Sequence, residues 1–182
     1  MHKGLVFLLA LLLPVAGQVH AADDKDYLGG AMHIGFYEET GFQRAEPTGL
    51  QLKFGHYFSP HGAIELHYVT GIEAGTVRYE NINVDVDIEQ GLSLFLRGEL
   101  PVSAAARLYG LIGYTDGELT ASATNGFVTA KSTESDAGIS YGFGFEHRKP
   151  RSNMSVHLEY ILYLNESGYD YSGFNLGLSH HF

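Results

Sequence analysis

Three side chains with acyl-transfer chemistry stand at alternate positions in the last third of the chain. Ser155, His157 and Glu159 supply a hydroxyl, an imidazole and a carboxylate, the nucleophile, base and orienting acid of hydrolytic triads. On an extended strand, however, residues two apart lie side by side about 7 Å apart, too far for direct hydrogen bonds. We therefore assign no catalytic residue, and an acyl-transfer enzyme stays open as an alternative.

Charged residues of both signs recur on the same alternating face as these three. Because an unpaired buried charge is costly, this mixture predicts a mutually satisfied polar network that fills the inside of the fold. A narrow ion path through rearranging pairs is the alternative. Across the short turn 101–104, we expect Glu99 and Arg107 to lie opposite each other as a charge pair. The predicted network consists of Lys53, Glu65, His67, Glu89, Arg97, Glu99, Arg107, Glu146, His157 and Glu159.

Four other histidines, His56, His61, His180 and His181, are expected near one rim of the fold. Imidazole is a common zinc ligand. Successive side chains of a strand point to opposite faces, so His180 and His181 cannot chelate one ion together. The chain has no cysteine. The sequence therefore predicts a titratable or interfacial rim, with no metal and no cofactor.

The elements that position these groups are strands. Beyond residue 21, apolar and polar residues alternate in segments of roughly ten residues, separated by Gly, Asn, Asp, Ser and Pro. None of these segments shows a sustained apolar face at helical spacing. The pattern predicts an all-β protein of eight antiparallel strands. The segments are 27–37, 48–58, 63–70, 84–100, 106–115, 136–147, 154–165 and 171–182.

Residue size indicates which face points inward. The polar face is rich in Gly, Ala and Ser, whereas the apolar face is uniformly large. An eight-stranded barrel has room inside only for closely packed side chains, so we expect the bulky apolar face outside, in lipid. This predicts an up-and-down transmembrane β-barrel; a soluble periplasmic lipocalin-like carrier, with the apolar face inside, is the alternative. Uniform alternation also places Val84, Val86, Ile88 and Leu164 outside.

The start of the chain and its charge restrict the location and the partners. Residues 1–21 contain Lys3, the apolar run 5–16 and a small-residue cleavage site, as in a secretory signal peptide. We assign 1–21 to this signal and 22–182 to one barrel domain. The formal net charge of −10 argues against nucleic acid as a partner, because phosphate binding requires a basic surface.

The connections between the strands alternate in length. Short ones are typical of periplasmic turns and longer ones of extracellular loops. The longer connections are rich in Asp and Glu, so lipopolysaccharide phosphates would contact them through divalent cations, and an extracellular ligand of the loops stays open. The short connections are 59–62, 101–104 and 148–153, and the longer ones are 38–47, 71–83, 116–134 and 166–170.

The last eight residues, Asn175-Leu176-Gly177-Leu178-Ser179-His180-His181-Phe182, close on Phe with a Gly five residues before it. His180 stands where another aromatic residue is usual. Together with the strand pattern, this ending resembles the small outer-membrane proteins of the OmpA, OmpX and Ail type. By that resemblance, Gly177 and Phe182 form the signal read by the barrel-assembly machinery.

The resemblance implies a monomer in the outer membrane of a Gram-negative bacterium, surrounded by lipid and lipopolysaccharide. It implies a structural or surface-interaction role without catalysis. Because lipid A deacylases and acyltransferases are known on small outer-membrane barrels, a lipid A-modifying enzyme is the first alternative.

Overall fold

The computed structural model describes residues 25–39, 43–79, 82–124, 129–165 and 168–182; the predicted signal peptide lies outside them. Among the described residues, no helix is long and apolar enough to cross a membrane. The strands are β1 (Asp26–Glu39), β2 (Thr48–Ser59), β3 (Gly62–Glu73), β4 (Gly75–Tyr79), β5 (Ile82–Pro101), β6 (Ala106–Thr124), β7 (Thr129–Arg148), β8 (Met154–Asn165) and β9 (Tyr169–His181).

Antiparallel pairing closes these strands into one barrel. β4 follows β3 after Ala74 and pairs with the same neighbour, β5, so together they form one strand of an eight-stranded wall. The other neighbours pair in chain order, and β1 pairs with β9 to complete the circle. The predicted all-β, eight-stranded, up-and-down barrel is confirmed.

The outer face of the wall is apolar. Leu52 and Phe143 expose 57% and 66% of their surface there, whereas Glu65 and His67 are fully buried inside. Exposed Leu, Ile, Val and Phe side chains form a belt around the barrel, and such a large apolar surface is stable only against lipid. The lipocalin-like alternative, with this face lining a cavity, is therefore wrong.

The two ends of the barrel differ. At one, which we call the turn end, short connections join β2 to β3, β5 to β6 and β7 to β8. At the other, the hairpin end, β5, β6 and β7 extend to 20, 19 and 20 residues. The assignment of 71–83 and 116–134 to loops is wrong over most of their length, because β4 and the long β6–β7 pairing continue the wall there. These extensions lie beyond the apolar belt, so they lack the alternation that marks a lipid-facing strand.

Two β-bulges near the hairpin end reverse the alternation of side chains. One lies between Ile88 and Gln90 in β5 and the other between Leu162 and Leu164 in β8. The alternation before a bulge is out of phase with the alternation after it. The placement of four apolar residues outside is therefore wrong, because three residues before the β5 bulge and one after the β8 bulge pack inside. These residues are Val84, Val86, Ile88 and Leu164.

The seam between β1 and β9 closes the barrel. Asp26 N donates to Phe182 O at 3.1 Å, and Phe182 N donates to Asp26 O at 2.8 Å. Further along the seam, Gly177 lies opposite Ala31. A Cβ atom on Gly177 would lie 2.6 Å from the Ala31 Cβ and closer still to the Gly30 carbonyl oxygen. Glycine therefore allows the two strands to approach here.

Candidate functional site

Arg97 on β5 is the centre of a buried charged network. Its Nη1 donates to Glu65 Oε1 at 2.8 Å, and its Nη2 lies 2.7 Å from Glu99 Oε1 and 3.0 Å from Glu146 Oε2. The guanidinium carbon lies 3.7 Å from the centroid of the Tyr109 ring. The planar, permanently charged guanidinium thus holds carboxylates from β3, β5 and β7 together.

A second buried ion pair joins β2 to β8. Lys53 Nζ donates to Glu159 Oε1, and the Tyr109 hydroxyl donates to the same oxygen at 2.8 Å. The Tyr27 hydroxyl donates to Glu65 Oε1, which connects β1 to the Arg97 network. Lys53 is 1% exposed and Glu159 is fully buried, so each charge depends on its partner.

Glu65, His67 and Glu159 could together offer ligands to a metal ion. One ligand atom of each lies within 4.8 Å of the others, and all three side chains are buried. Lys53 and Arg97, however, already place two positive charges against the two carboxylates. A divalent ion added here would meet those like charges in a medium of low dielectric constant. The donor set is therefore better described as an ion-pair cluster.

Arg107 continues the network towards the turn end. Its Nε lies 3.5 Å from Glu99 Oε2, and its Nη1 lies 3.4 Å from Glu146 Oε1. The register differs from the expectation, because Glu99 lies opposite Tyr109 and Arg107 opposite Pro101. The two charges therefore meet along a diagonal and not directly across the strands. One third of the Arg107 side chain is exposed, in an open vestibule of about 670 Å³.

The row Ser155, His157 and Glu159 does not form a catalytic relay. Ser155 Oγ lies 3.0 Å from Nε2 of His181, and His157 Nδ1 lies 3.3 Å from Ser179 Oγ. Glu159 is bonded to Lys53 and Tyr109, as described above. The row therefore takes part in three separate contacts, and all three side chains are buried in the lumen.

A layer of hydrogen-bonded His, Asn and Tyr side chains lies above the charges, towards the hairpin end. His33 Nδ1 lies 2.7 Å from Asn175 Oδ1, and its Nε2 lies 2.5 Å from the Tyr171 hydroxyl. Asn175 Nδ2 donates to the Tyr163 hydroxyl at 2.8 Å. The sequence interpretation missed this layer because it considered charged side chains; the inward position of His33 in the alternation of β1 was the available signal.

An apolar cluster, which we call the plug, extends along the lumen from the charged network to the hairpin end: Leu111 lies opposite Arg97, and the Phe95 ring lies 4.9 Å from the His67 ring. Its side chains come from β3, β5, β6, β8 and β9 and are almost completely buried. The sequence interpretation missed the plug because it considered charged side chains on the inward face, and because two members of the plug reach the lumen through the bulges. The plug consists of Val69, Ile88, Phe95, Leu111, Leu119, Ile161 and Leu164, with the rings of Tyr109, Tyr163 and Tyr171.

Above the plug is a mouth formed by two tyrosines and nearby acids. The rings of Tyr37 and Tyr169 stack with centroids 5.2 Å apart and an interplanar angle of 28°. Tyr169 donates to Asp136 Oδ2 at 2.6 Å, and Tyr37 donates to Glu39 Oε2 at 3.2 Å. Partial burial and these carboxylates, together with Glu134, raise the pKa of both tyrosine hydroxyls. The cavity between these groups has a volume of about 270 Å³.

Glu89 lies outside the lumen network, which corrects its assignment. It is the bulge residue of β5, so its side chain stands on the outer surface of the hairpin end. Thr120 Oγ1 donates to Glu89 Oε1 at 2.9 Å, and Lys131 Nζ donates to it at 3.3 Å. These hydrogen bonds and the Lys131 charge lower the pKa of the Glu89 carboxyl.

The four rim histidines do not come together. His56 Nδ1 lies 2.7 Å from Asp26 Oδ1, while His61 is exposed in the turn between β2 and β3. The His180 ring stacks on Phe182 outside the barrel, whereas His181 is fully buried inside. The opposite directions expected for His180 and His181 are therefore observed.

A lipid-facing apolar belt around a closed barrel is the architecture of transmembrane β-barrels. The model of the outer membrane protein beta-barrel domain matches residues 5–182. The chain belongs to this outer-membrane barrel family. No curated protein matches the chain.

Solved outer-membrane barrels share the fold at low identity. One of them is Ail, the attachment invasion locus protein of Yersinia pestis, solved in complex with the heparin analogue sucrose octasulfate. Its sequence is 17% identical to this chain, and the TM-score is 0.62. The match covers 87% of this chain and 98% of Ail. Neisserial surface protein A is 10% identical with a TM-score of 0.56, over 86% and 97%. OprG from Pseudomonas aeruginosa is 13% identical with a TM-score of 0.54, over 87% and 96%.

Family and fold together locate this barrel in the outer membrane of a Gram-negative bacterium. The resemblance to small outer-membrane barrels of the Ail type is confirmed.

Proposed function

We propose that this outer-membrane barrel has a structural or surface-interaction role, and that its lumen network is a packing core. The observation that carries the proposal is the filling of the lumen: the side chains of the Arg97 network, the His33 layer and the apolar plug are buried there together. An ion crossing the lumen would have to break buried charge pairs and pass the apolar plug. Both steps are costly, so the barrel is closed.

The same burial supports a role without catalysis. Ser155 is 1% exposed and Glu159 is fully buried inside the wall, whereas a lipid ester would approach from outside it. Ser155 Oγ contacts His181 and not His157, and Glu159 is bonded to Lys53 and not to His157, so these side chains do not form the relay that would activate a nucleophile.

We assign the hairpin end to the extracellular side, because the short turns of such barrels lie on the periplasmic side and the longer connections on the extracellular side. The long β6–β7 hairpin then projects from the outer membrane surface. The mouth at this end is acidic, because Glu39, Glu134 and Asp136 lie around Tyr37 and Tyr169. This end is the surface through which a partner would be bound.

The acidity of this end restricts the partner. Ail is described in complex with a heparin analogue, sucrose octasulfate, which is a polyanion. Like charges repel, so an acidic mouth disfavours a polyanion here, and lipopolysaccharide phosphates would need bridging divalent cations. The surface ligand of this barrel is therefore expected to carry positive charge.

The closing strand fits the proposed assembly signal. Gly177 lies in the seam with β1, and Phe182 completes it through hydrogen bonds to Asp26. We propose that the barrel-assembly machinery reads these two residues and that the folded product is a monomer, since pairing of β1 with β9 leaves no unpaired edge in the barrel wall.

The closed lumen is tested by conductance in planar bilayers. The folded barrel, recognised by its faster migration on an SDS gel before boiling, should give no stable conductance steps. A Phe95→Ala/Leu111→Ala double variant removes two plug side chains next to the charged network and should conduct more, because the space that they fill becomes accessible to water. Steady conductance of the unaltered barrel would show that the lumen is a conduit.

The assignment of the ends is tested by epitope insertion. An epitope placed between Thr124 and Thr129 should be labelled by antibody on intact cells. The same epitope between Pro150 and Arg151, in the turn between β7 and β8, should be labelled only after permeabilisation. The reverse result would invert the barrel and contradict a surface role of the hairpin end.

A further inference from the structure

The mouth at the hairpin end combines aromatic rings, carboxylates and an apolar floor. The stacked rings of Tyr37 and Tyr169 line one side of the cavity, and Glu39 and Glu134 line another. Asp136 lies next to them through its hydrogen bond from Tyr169. This inference rests on the proposed function, in which the hairpin end is the exposed working surface.

The negative charge of the mouth is not balanced by its described neighbours. Among the described side chains, no ion pair within 4.0 Å involves Glu39, Glu134 or Asp136. The nearby cations pair with other carboxylates. Arg44 forms ion pairs with Glu38 and Glu46, with N–O distances of 3.6 and 2.9 Å. Lys131 forms an ion pair with Glu89 on the outer surface, with an N–O distance of 3.3 Å. Carboxylates around a concave site concentrate the electrostatic field, so the mouth attracts a cation.

The shape of the cavity indicates which kind of cation fits. Val86, Leu119 and Ala121 supply apolar lining, and the volume of about 270 Å³ matches a short chain better than a bare ion. Mg²⁺ and Ca²⁺ prefer six or more oxygen ligands, which a half-apolar cavity does not provide. Aromatic rings and carboxylates together are suited to ammonium and guanidinium groups.

We propose that the mouth binds an organic cation: a primary ammonium or guanidinium group on a short alkyl stem. The cationic head lies among Glu39, Glu134 and Asp136, and the stem packs on the tyrosine pair and the apolar lining. A free polyamine and a lysine or arginine side chain of a protein share this chemistry.

Calorimetric titration of the folded barrel in a neutral maltoside detergent tests the proposal. The probes are spermidine, for a free polyamine, and N-acetyl-lysine and N-acetyl-arginine methylamides, for a protein side chain. We expect at least one probe to bind. Tighter binding of spermidine would identify a free polyamine as the ligand, and tighter binding of a methylamide would identify a protein side chain. The Glu39→Gln/Glu134→Gln variant should weaken binding by about tenfold, because two of the three carboxylates that attract the cation lose their charge.

The matched control is Glu118→Gln, which removes a carboxylate from the same hairpin, where its partner is Gln90 on the outer surface. This variant should bind the probe as the unaltered barrel does. An equal loss in both variants would show diffuse attraction by surface charge and overturn the site. Tighter binding of Mg²⁺ than of every organic probe would replace it with a metal site.

No binding of any probe would also overturn the proposal. That failure is distinguishable from failure of the proposed function, because the conductance and epitope measurements do not depend on a ligand. Each variant is first checked for the faster migration of its unboiled form, so that a loss of binding is not a loss of fold.

Discussion

At the scale of single residues, the lumen shows how a narrow barrel tolerates charge. Arg97 and Lys53 are almost completely buried, and each is held by carboxylates from other strands. Removing water from both partners is expensive, and their attraction offsets this only when the geometry is good. These pairs therefore fix which strands meet as much as they stabilise the barrel.

Lys53→Met tests the buried pair. It leaves Glu159 charged without its cation, so the free energy of unfolding should fall by about 3–5 kcal/mol. Adding Glu159→Gln should recover part of this loss, because the uncompensated charge is removed as well. Urea titration of the refolded barrel, applied to Lys53→Met, to Glu159→Gln alone and to the double variant, gives a double-mutant cycle.

The control is Lys131→Met, which removes the exposed partner of Glu89. An exposed pair contributes at most about 1 kcal/mol, so this variant should unfold nearly as the unaltered barrel does. Equal effects of Lys53→Met and Lys131→Met would contradict the buried pairing.

At the scale of elements, the seam between β1 and β9 requires a close approach of the two backbones. Gly177 allows it, since a Cβ atom would meet Ala31 and the Gly30 carbonyl oxygen. Gly98 on β5 is different, because a Cβ atom there would meet no atom within 4 Å. The sequence shows both as glycines in alternating strands, and the pairing of the strands distinguishes them.

Gly177→Ala should destabilise the closed barrel by about 1–3 kcal/mol, the usual effect of overpacking. Gly98→Ala should have little effect. The fraction of faster-migrating, unboiled protein after refolding, followed by urea titration, measures both. If the two variants behave alike, close packing at the seam is not the reason for glycine at position 177.

At the scale of the whole molecule, the apolar belt determines where the barrel lies. Leu96 and Leu100 point outward from the same strand, with 55% and 63% of their surface exposed. Leu96 lies near the middle of the lipid-facing part of β5 and Leu100 near its turn end. The two positions therefore lie at different depths in the bilayer, and the free-energy cost of a charged side chain on the lipid face depends on that depth.

Leu96→Arg should therefore lower the free energy of unfolding in lipid vesicles by about 2–4 kcal/mol, and Leu100→Arg by about 0–1 kcal/mol. Urea titration in vesicles measures the difference. A soluble carrier would show no such dependence on depth, because neither residue would face lipid.

The sequence by itself determined the fold and the orientation of most side chains. The period of two and the contrast between small and bulky faces follow from local geometry and from the width of an eight-stranded barrel. They were sufficient to place Lys53, Glu65, Arg97, Glu146 and Glu159 inside.

Only the tertiary structure decided the partners and the exceptions. A bulge such as that at Glu89 puts the alternation before it out of phase with the alternation after it, and it leaves no mark in the composition. The contacts of Arg97 with Glu65 and Glu146, and the stacking of Tyr37 on Tyr169, join residues far apart in the chain. Such pairs depend on the register of strands that meet when the barrel closes, and alternation specifies the face of a residue without specifying its neighbour across the lumen.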